Sequence, residues 1–110
     1  MVKSVRIDFT KSSEYSFSHT INNNDFKIYI RYNILFDRYF LDIDKFQDGM
    51  YKTLVKNVNI TTGANILLPY RRYGIGNMYL IPNVDTEYTK LPSADTIIKK
   101  WFLFWQYDEN

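Results

Sequence analysis

The sequence contains no cysteine and only one histidine among its 110 residues. The absence of cysteine excludes disulfide bonds, thiolate metal ligands and cysteine nucleophiles. Its longest apolar run, residues 101–105, is far shorter than the roughly 20 residues that a membrane-spanning helix needs. The first residues lack the apolar core of a signal peptide, so we expect no cleaved secretion signal.

A strong excess of one charge is also absent. The chain has 14 Lys and Arg residues against 12 Asp and Glu residues, spread along its length, for a net charge of +2. Binding to a polyanion would require basic residues clustered on one face, so we do not expect nucleic acid as a partner. Glycine and proline number only 4 and 3, and polar stretches are short, which argues against disorder or low complexity.

Aromatic residues, in contrast, are abundant. They make up 18% of the sequence and include ten tyrosines, and aromatic and β-branched side chains favour strands. Apolar residues recur with a period of two, most clearly at Phe26, Ile28 and Ile30. This alternation predicts strands over residues 4–9, 15–21, 26–33, 38–46, 51–60, 65–70, 78–81 and 96–107.

Turn signals separate these segments. Gly49 follows Asp48, and Asp-Gly is a favoured pair in tight hairpins, while Gly63 and Gly76 mark two further structural turns. Short strands at this spacing are typical of barrels and sandwiches. We therefore predict an all-β fold: a single domain over residues 1–110, built as a small, mostly antiparallel β-barrel or β-sandwich.

The C-terminal segment has two interpretations. Ile97, Trp101 and Trp105 suit one face of a helix, but the apolar run and the neighbouring strands favour a strand, which we predict. As a strand, the segment would place both tryptophans on one face and Phe102 and Phe104 on the other. A small domain with one core covers only one of these faces easily, so the other must meet another layer of the chain or a partner subunit. We favour a partner for part of it, and expect one tryptophan to be needed for stability and the other for assembly. A fully internal strand is the alternative.

Few residues are candidates for catalysis. His19 would have to be the base of a serine triad, but its place in an alternating strand favours a packed or surface histidine. Asp42 and Asp44 share a strand face at about 6–7 Å, a separation that glycoside hydrolysis can use. A solvated strand face is the simpler interpretation, so we predict no catalytic residue, no metal site and no cofactor.

Arg71, Arg72 and Tyr73 form a compact basic and aromatic cluster. Together with Trp101 they could form a charged stacking platform for single-stranded nucleic acid. Trp101, Trp105 and surface tyrosines could instead bind carbohydrate. We favour a third interpretation, in which a partner-protein interface draws on Arg71, Arg72, Tyr73, Trp101 and Trp105, because Tyr and Trp are typical of interfaces and the chain has no wider basic bias.

The middle of the chain carries an ordered set of motifs. They are YFLDI at 39–43, DG at 48–49, VNI at 58–60, TGANILLPYRRY at 62–73 and GNMYLI at 76–81. Together they resemble the baseplate plug family of phages with contractile tails, first defined in a cyanophage baseplate. The similarity extends from residue 7 to residue 107. One departure is Asn57, where the family pattern leads us to expect a glycine.

The resemblance implies a non-enzymatic structural component of the baseplate of a contractile phage tail or a related particle, near the central hub and tube. Its partners would be other baseplate, hub or tail tube subunits, with no membrane partner. It would be located in the virion after assembly in the host cytoplasm. The family offers no catalytic residues to transfer. A small nucleic-acid-binding barrel, and after it a carbohydrate-binding module, remain the alternatives.

Overall fold

A computed structural model describes residues 1–12, 14–83 and 92–110 of the chain. Most of this part is strand, and the helical elements are short. In chain order the elements are β1 Val2–Ile7, β2 Tyr15–Ile21, β3 Asn24–Asn33, β4 Arg38–Gln47, β5 Met50–Asn59, a 3₁₀ helix Leu68–Tyr73, β6 Asn77–Pro82, α1 Ala94–Lys100 and β7 Trp101–Asp108.

The described strands form two antiparallel sheets. β2, β3, β4 and β5 make a four-stranded meander, and the three-stranded sheet has the order β1-β7-β6. One apolar cluster takes buried side chains from both sheets, for example Ile28 and Ile43 from the larger and Leu103 and Trp105 from the smaller. The all-β, mostly antiparallel prediction is confirmed, and its form is a sandwich rather than a closed barrel.

Tight turns set the register of the larger sheet. Asn22 and Asn23, with φ of 48° and 67°, join β2 to β3, while Asp48 and Gly49, with φ of 53° and 82°, join β4 to β5. Two consecutive residues with positive φ match the twist of the flanking strands. Asn, Asp and Gly tolerate this conformation best, so these local sequences fix which residues of the meander lie opposite each other.

The prediction of a strand over residues 65–70 is wrong, because a turn and the 3₁₀ helix occupy this region. The Asn65 Oδ1 atom accepts hydrogen bonds from the amides of Leu67 at 3.1 Å and Met78 at 3.0 Å. Such side-chain bonds offer the backbone an alternative to a strand ladder. Pro69, in turn, suits the first turn of a helix. Leu67 is nevertheless fully buried, so the segment contributes to the core through a turn.

The strand predicted over residues 96–107 is also wrong at its start, because α1 extends to Lys100. The Ser93 hydroxyl accepts a hydrogen bond from the Thr96 amide at 3.3 Å and so caps the beginning of the helix. At Trp101 the backbone becomes extended, with φ −127° and ψ 152°, and β7 begins. Each of the two interpretations of this segment therefore applies to one part of it.

Both tryptophans lie on the inner face of β7. Trp105 is fully buried, its Nε1 donates to the Ile75 carbonyl at 2.7 Å, and its ring centroid lies 6.0 Å from that of Phe26 and 5.6 Å from that of His19. Trp101 is only 5% exposed. The prediction that one tryptophan contacts a partner is therefore wrong, since the chain's own core covers this face.

The outer face of β7 carries Phe102 and Phe104, which are half-buried. The Arg6 guanidinium lies 5.0 Å from the centroid of the Phe102 ring. On the neighbouring strand β6, Ile81 pairs with Phe102 and Tyr79 pairs with Phe104. The strand does have two apolar faces, as its sequence indicates, but the phenylalanines and not the tryptophans face outward.

The buried positions of the tryptophans predict a stability effect. We expect Trp101→Ala and Trp105→Ala each to lower the free energy of unfolding by about 3–5 kcal/mol, because both leave cavities in the core. Phe104→Ala, on the outer face of the same strand, is the control and should cost clearly less. Urea unfolding monitored by circular dichroism measures all three, and a Trp105→Ala variant as stable as the wild type would contradict this assignment.

A second stability prediction concerns Gly76. Its φ is 87°, and a Cβ atom there would lie 2.3 Å from the Gln106 carbonyl oxygen, whereas a Cβ atom on Gly49, with φ of 82°, would have no neighbour within 4 Å. Gly49→Ala should cost about 1 kcal/mol for the left-handed backbone alone. Gly76→Ala should cost about 1–3 kcal/mol more because of the overlap. Equal thermal stability of the two variants would show that close approach at Gly76 is unimportant.

Candidate functional site

His19 lies among aromatic rings where one end of β2 meets β7. Its Nε2 is 2.8 Å from the Tyr107 hydroxyl oxygen, and its ring centroid is 5.9 Å from that of Phe17 and 5.2 Å from that of Tyr107. Burial lowers the pKa of His19 from its ordinary value, while the charge of Glu109 opposes the shift. The side chain thus packs between the sheets, which supports the structural interpretation.

The carboxylate of Asp42 takes part in a local network. It accepts a hydrogen bond from Arg31 Nη1 at 2.6 Å and another from the Asn57 amide at 2.7 Å, and the Asn57 side chain accepts from Arg31 in turn. Asp44 lies opposite Lys27 in the β3–β4 register. A carboxylate held by a guanidinium and a backbone amide favours a structural ion pair over one member of a catalytic pair.

The same network explains Asn57, where the family pattern suggests glycine. β5 is irregular here, because Leu41 pairs with Val58 while Ile43 pairs with Val55, which leaves one extra residue in β5. Asn57 lies in this bulge with φ of 58°. Glycine is the usual residue at a left-handed bulge position, and asparagine is the next most tolerant. The substitution therefore preserves the backbone conformation.

Arg71, Arg72 and Tyr73 lie together and exposed on the 3₁₀ helix. The Arg72 guanidinium lies 4.7 Å from the Tyr73 ring centroid and donates to its hydroxyl at 3.0 Å. Within the described residues, neither arginine forms an ion pair with a carboxylate. An open depression beside them is lined by Leu68, Pro69 and both arginines. We call Leu68, Arg71, Arg72 and Tyr73 the basic patch.

The tryptophans do not join the basic patch at the surface, because both are buried in the core. A stacking platform for nucleic acid that includes Trp101 is therefore wrong. A carbohydrate platform built from Trp101 and Trp105 is wrong for the same reason, since stacking on a sugar needs an exposed ring face. Of the five predicted interface residues, only the three on the 3₁₀ helix are accessible.

Sequence reasoning missed the most exposed apolar group of the described chain, at the β3–β4 turn. Ile34, Leu35 and Phe36 are 80%, 86% and 66% exposed, and we call these three residues the apolar tip. The signal was available in the sequence, because three consecutive apolar residues interrupt the alternation between two predicted strands. Period-two alternation does not identify this run, because the pattern describes strand residues and not the turns between them.

The structure also bears on metal sites, membrane-spanning helices and one apolar cleft. Among residues 1–12, 14–83 and 92–110, no three His, Asp or Glu side chains come close enough to hold a metal ion. Within the same ranges, no helix is both long and apolar enough to cross a membrane. An apolar cleft between β1 and α1, lined mainly by Ile7, Phe9, Ile97 and Ile98, has a volume of about 110 Å³. That is well below the roughly 300–1,000 Å³ of ordinary ligand pockets.

The environment of His19 predicts acid sensitivity. Its folded-state pKa is lower than the ordinary 6.5, so the unfolded chain binds the proton more readily. The contribution of neutral His19 to the free energy of unfolding is fully present above the unfolded-state pKa. It is lost as the pH falls through that value towards the folded-state pKa. Urea unfolding between about pH 8 and pH 5 should reveal this loss. His19→Gln should remove this pH-dependent part of the free energy of unfolding. If that free energy falls equally with pH in the wild type and the variant, His19 is not its source.

Comparison with known protein families supports a structural role for the chain. No curated protein sequence matches the chain. A family profile described as "Cyanophage baseplate Pam3 plug gp18" matches residues 3–108, which is nearly the whole chain. Membership supports a structural role in a phage baseplate, located in the virion tail and associated with other baseplate components. On this match, the chain belongs to the cyanophage baseplate Pam3 plug gp18 family.

Proposed function

We propose that the protein is a non-enzymatic component of a contractile tail baseplate, positioned near the central hub and tube, where it helps to close the end of the tube until contraction. It would assemble there from the host cytoplasm. The observation that carries the proposal is the family match over residues 3–108. The mechanism is geometric: a rigid two-sheet domain occupies a fixed space and holds its neighbours in place.

The polar groups that could carry chemistry support this role, because they are engaged in structural contacts. His19 packs against Tyr107, and Asp42 binds Arg31 and the Asn57 amide. An assembly component needs a stable core and surfaces suited to neighbours. The described chain has such surfaces in the basic patch and in the apolar tip.

The basic patch is the surface that we assign to a partner subunit. Arginine and tyrosine are enriched at protein interfaces, because both combine an apolar body with hydrogen-bonding groups. In the patch, the stacked Arg72 and Tyr73 are already arranged for contact. Since the arginines lack carboxylate partners among the described residues, an acidic surface on a neighbouring hub or baseplate subunit would complement them.

The same patch keeps nucleic-acid binding as a second candidate, since exposed arginines beside tyrosines can hold a single strand. Against this candidate, the net charge is only +2 and Trp101 is buried. We therefore expect at most weak binding to single-stranded DNA, lost at physiological salt as counterions compete. Tight binding that persists at that salt and is lost on Arg71→Ala would establish the second candidate in place of the first.

The experiment is incorporation into particles. A phage that lacks its own copy of the gene is propagated on cells that supply the wild-type protein or a variant, and the protein is quantified in purified tails against the tube protein. The wild-type protein should be present. Arg71→Ala with Arg72→Ala should reduce incorporation by roughly threefold to tenfold, while the stability of the isolated domain changes little, because both side chains are exposed.

Lys52→Ala with Lys56→Ala is the matched control, because it removes the same charge from exposed positions on β5. It should incorporate normally. Absence of the wild-type protein from purified tails would contradict the proposed function. Equal incorporation of the arginine variant and the control would contradict only the role of the basic patch.

A further inference from the structure

Hydrogen bonds at its base order the backbone of the apolar tip. The Asn33 Oδ1 atom accepts from the amides of Leu35 at 3.0 Å and Phe36 at 3.3 Å. The Asp37 carboxylate, which follows the tip with φ of 50°, accepts from the Tyr32 hydroxyl at 2.8 Å and from the Ala94 amide at 3.3 Å. The chain therefore presents three apolar side chains to water on a hydrogen-bonded turn, where they add little to the core.

An exposed run of this kind has a cost in solubility and calls for a functional explanation. A loop whose backbone is already partly ordered by hydrogen bonds loses less conformational entropy when it docks, which favours binding. Large apolar side chains that enter a desolvated pocket contribute most of the affinity of many interfaces. The tip has both properties: it is preorganised and it is apolar.

We infer that the apolar tip inserts into an apolar pocket on a different protein subunit of the particle. The inference rests on the proposed function, because it takes that subunit to be a baseplate neighbour. It adds a second contact surface, distinct from the basic patch in its chemistry. Ile34, Leu35 and Phe36 would be the inserted residues, and the Asn33 and Asp37 side chains would hold them in position.

The charges around the tip favour a protein pocket over a lipid surface. Lys11 forms an ion pair with Asp95 at 2.9 Å, and the Arg38 guanidinium donates to the Asp37 carbonyl at 3.1 Å. The cations near the base of the tip are thus engaged within the chain. Among the described residues they are matched in number by Asp37 and Asp95, which leaves no free basic belt around the tip for anionic headgroups in that part of the chain.

Neither a second tip nor the apolar cleft of a second copy of this chain suits the tip. Two convex tips in contact would bury far less than the roughly 1,200–2,000 Å² of a stable interface. The apolar cleft between β1 and α1 has a volume of about 110 Å³. That is smaller than the roughly 150 Å³ cavity that accommodates a single benzene ring, so it would not hold three large side chains.

The test uses the particle incorporation assay with two triple variants. The tip variant carries Ile34→Ser, Leu35→Ser and Phe36→Ser. The control changes exposed apolar residues at the opposite end of β4 and carries Phe46→Ser, Met50→Ser and Tyr51→Ser. We expect the tip variant to fold with an unchanged melting temperature and to lose incorporation by about tenfold or more, while the control incorporates within about twofold of the wild type.

The outcomes separate the two proposals. If the wild-type protein is absent from tails, the proposed function fails. If it is present and the tip variant incorporates equally well, or if the control loses as much as the tip variant, only the tip inference is overturned. Tip-dependent sedimentation with phosphatidylethanolamine–phosphatidylglycerol vesicles would overturn it in favour of lipid, and tip-dependent dimers in analytical ultracentrifugation would overturn it in favour of self-association.

Discussion

The indole of Trp105 joins the two sheets and the segment that leads into β6. It contacts Phe26 of the larger sheet and donates to the Ile75 carbonyl in the segment before β6. That segment comes close to β7 because Gly76 has no Cβ atom, which would otherwise overlap the Gln106 carbonyl oxygen. One tryptophan and one glycine thus fix both the spacing of the sheets and the path of the chain into β6.

The sequence predicted the strands and turns where one local signal dominates. Period-two alternation marked β3 and β4, and Asp48-Gly49 marked the turn between β4 and β5. The strand prediction failed over residues 65–70. There the Asn65 side chain accepts hydrogen bonds from two backbone amides, one of which belongs to the distant Met78. Periodicity cannot register such a tertiary hydrogen bond, because it reads only the order of apolar and polar residues.

Surface and core residues were harder to distinguish. Trp101, Trp105 and the phenylalanines of β7 are all apolar in the sequence, so nothing in it tells which face meets the larger sheet. That choice depends on how the two sheets pack, which is a property of the whole fold. The accessible part of the predicted interface is therefore the cluster at residues 71–73, and the apolar tip adds a surface that strand patterns do not reveal.

The two proposed contact surfaces would have complementary roles in an assembly. A basic patch gives orientation and partner choice through charge, while a preorganised apolar tip gives affinity through desolvation. Both lie outside the Trp105 core, so partner contacts can change without loss of the fold. This separation fits a chain whose family is defined by its place in a baseplate rather than by a reaction.

Cryo-electron microscopy of intact tails would show whether the protein is a baseplate component. We expect density for this two-sheet domain within the baseplate, on or beside the tail axis, with the β3–β4 turn buried against a different subunit. Tails that are complete and contractile but have no such density in the baseplate would show that the protein has no place in it.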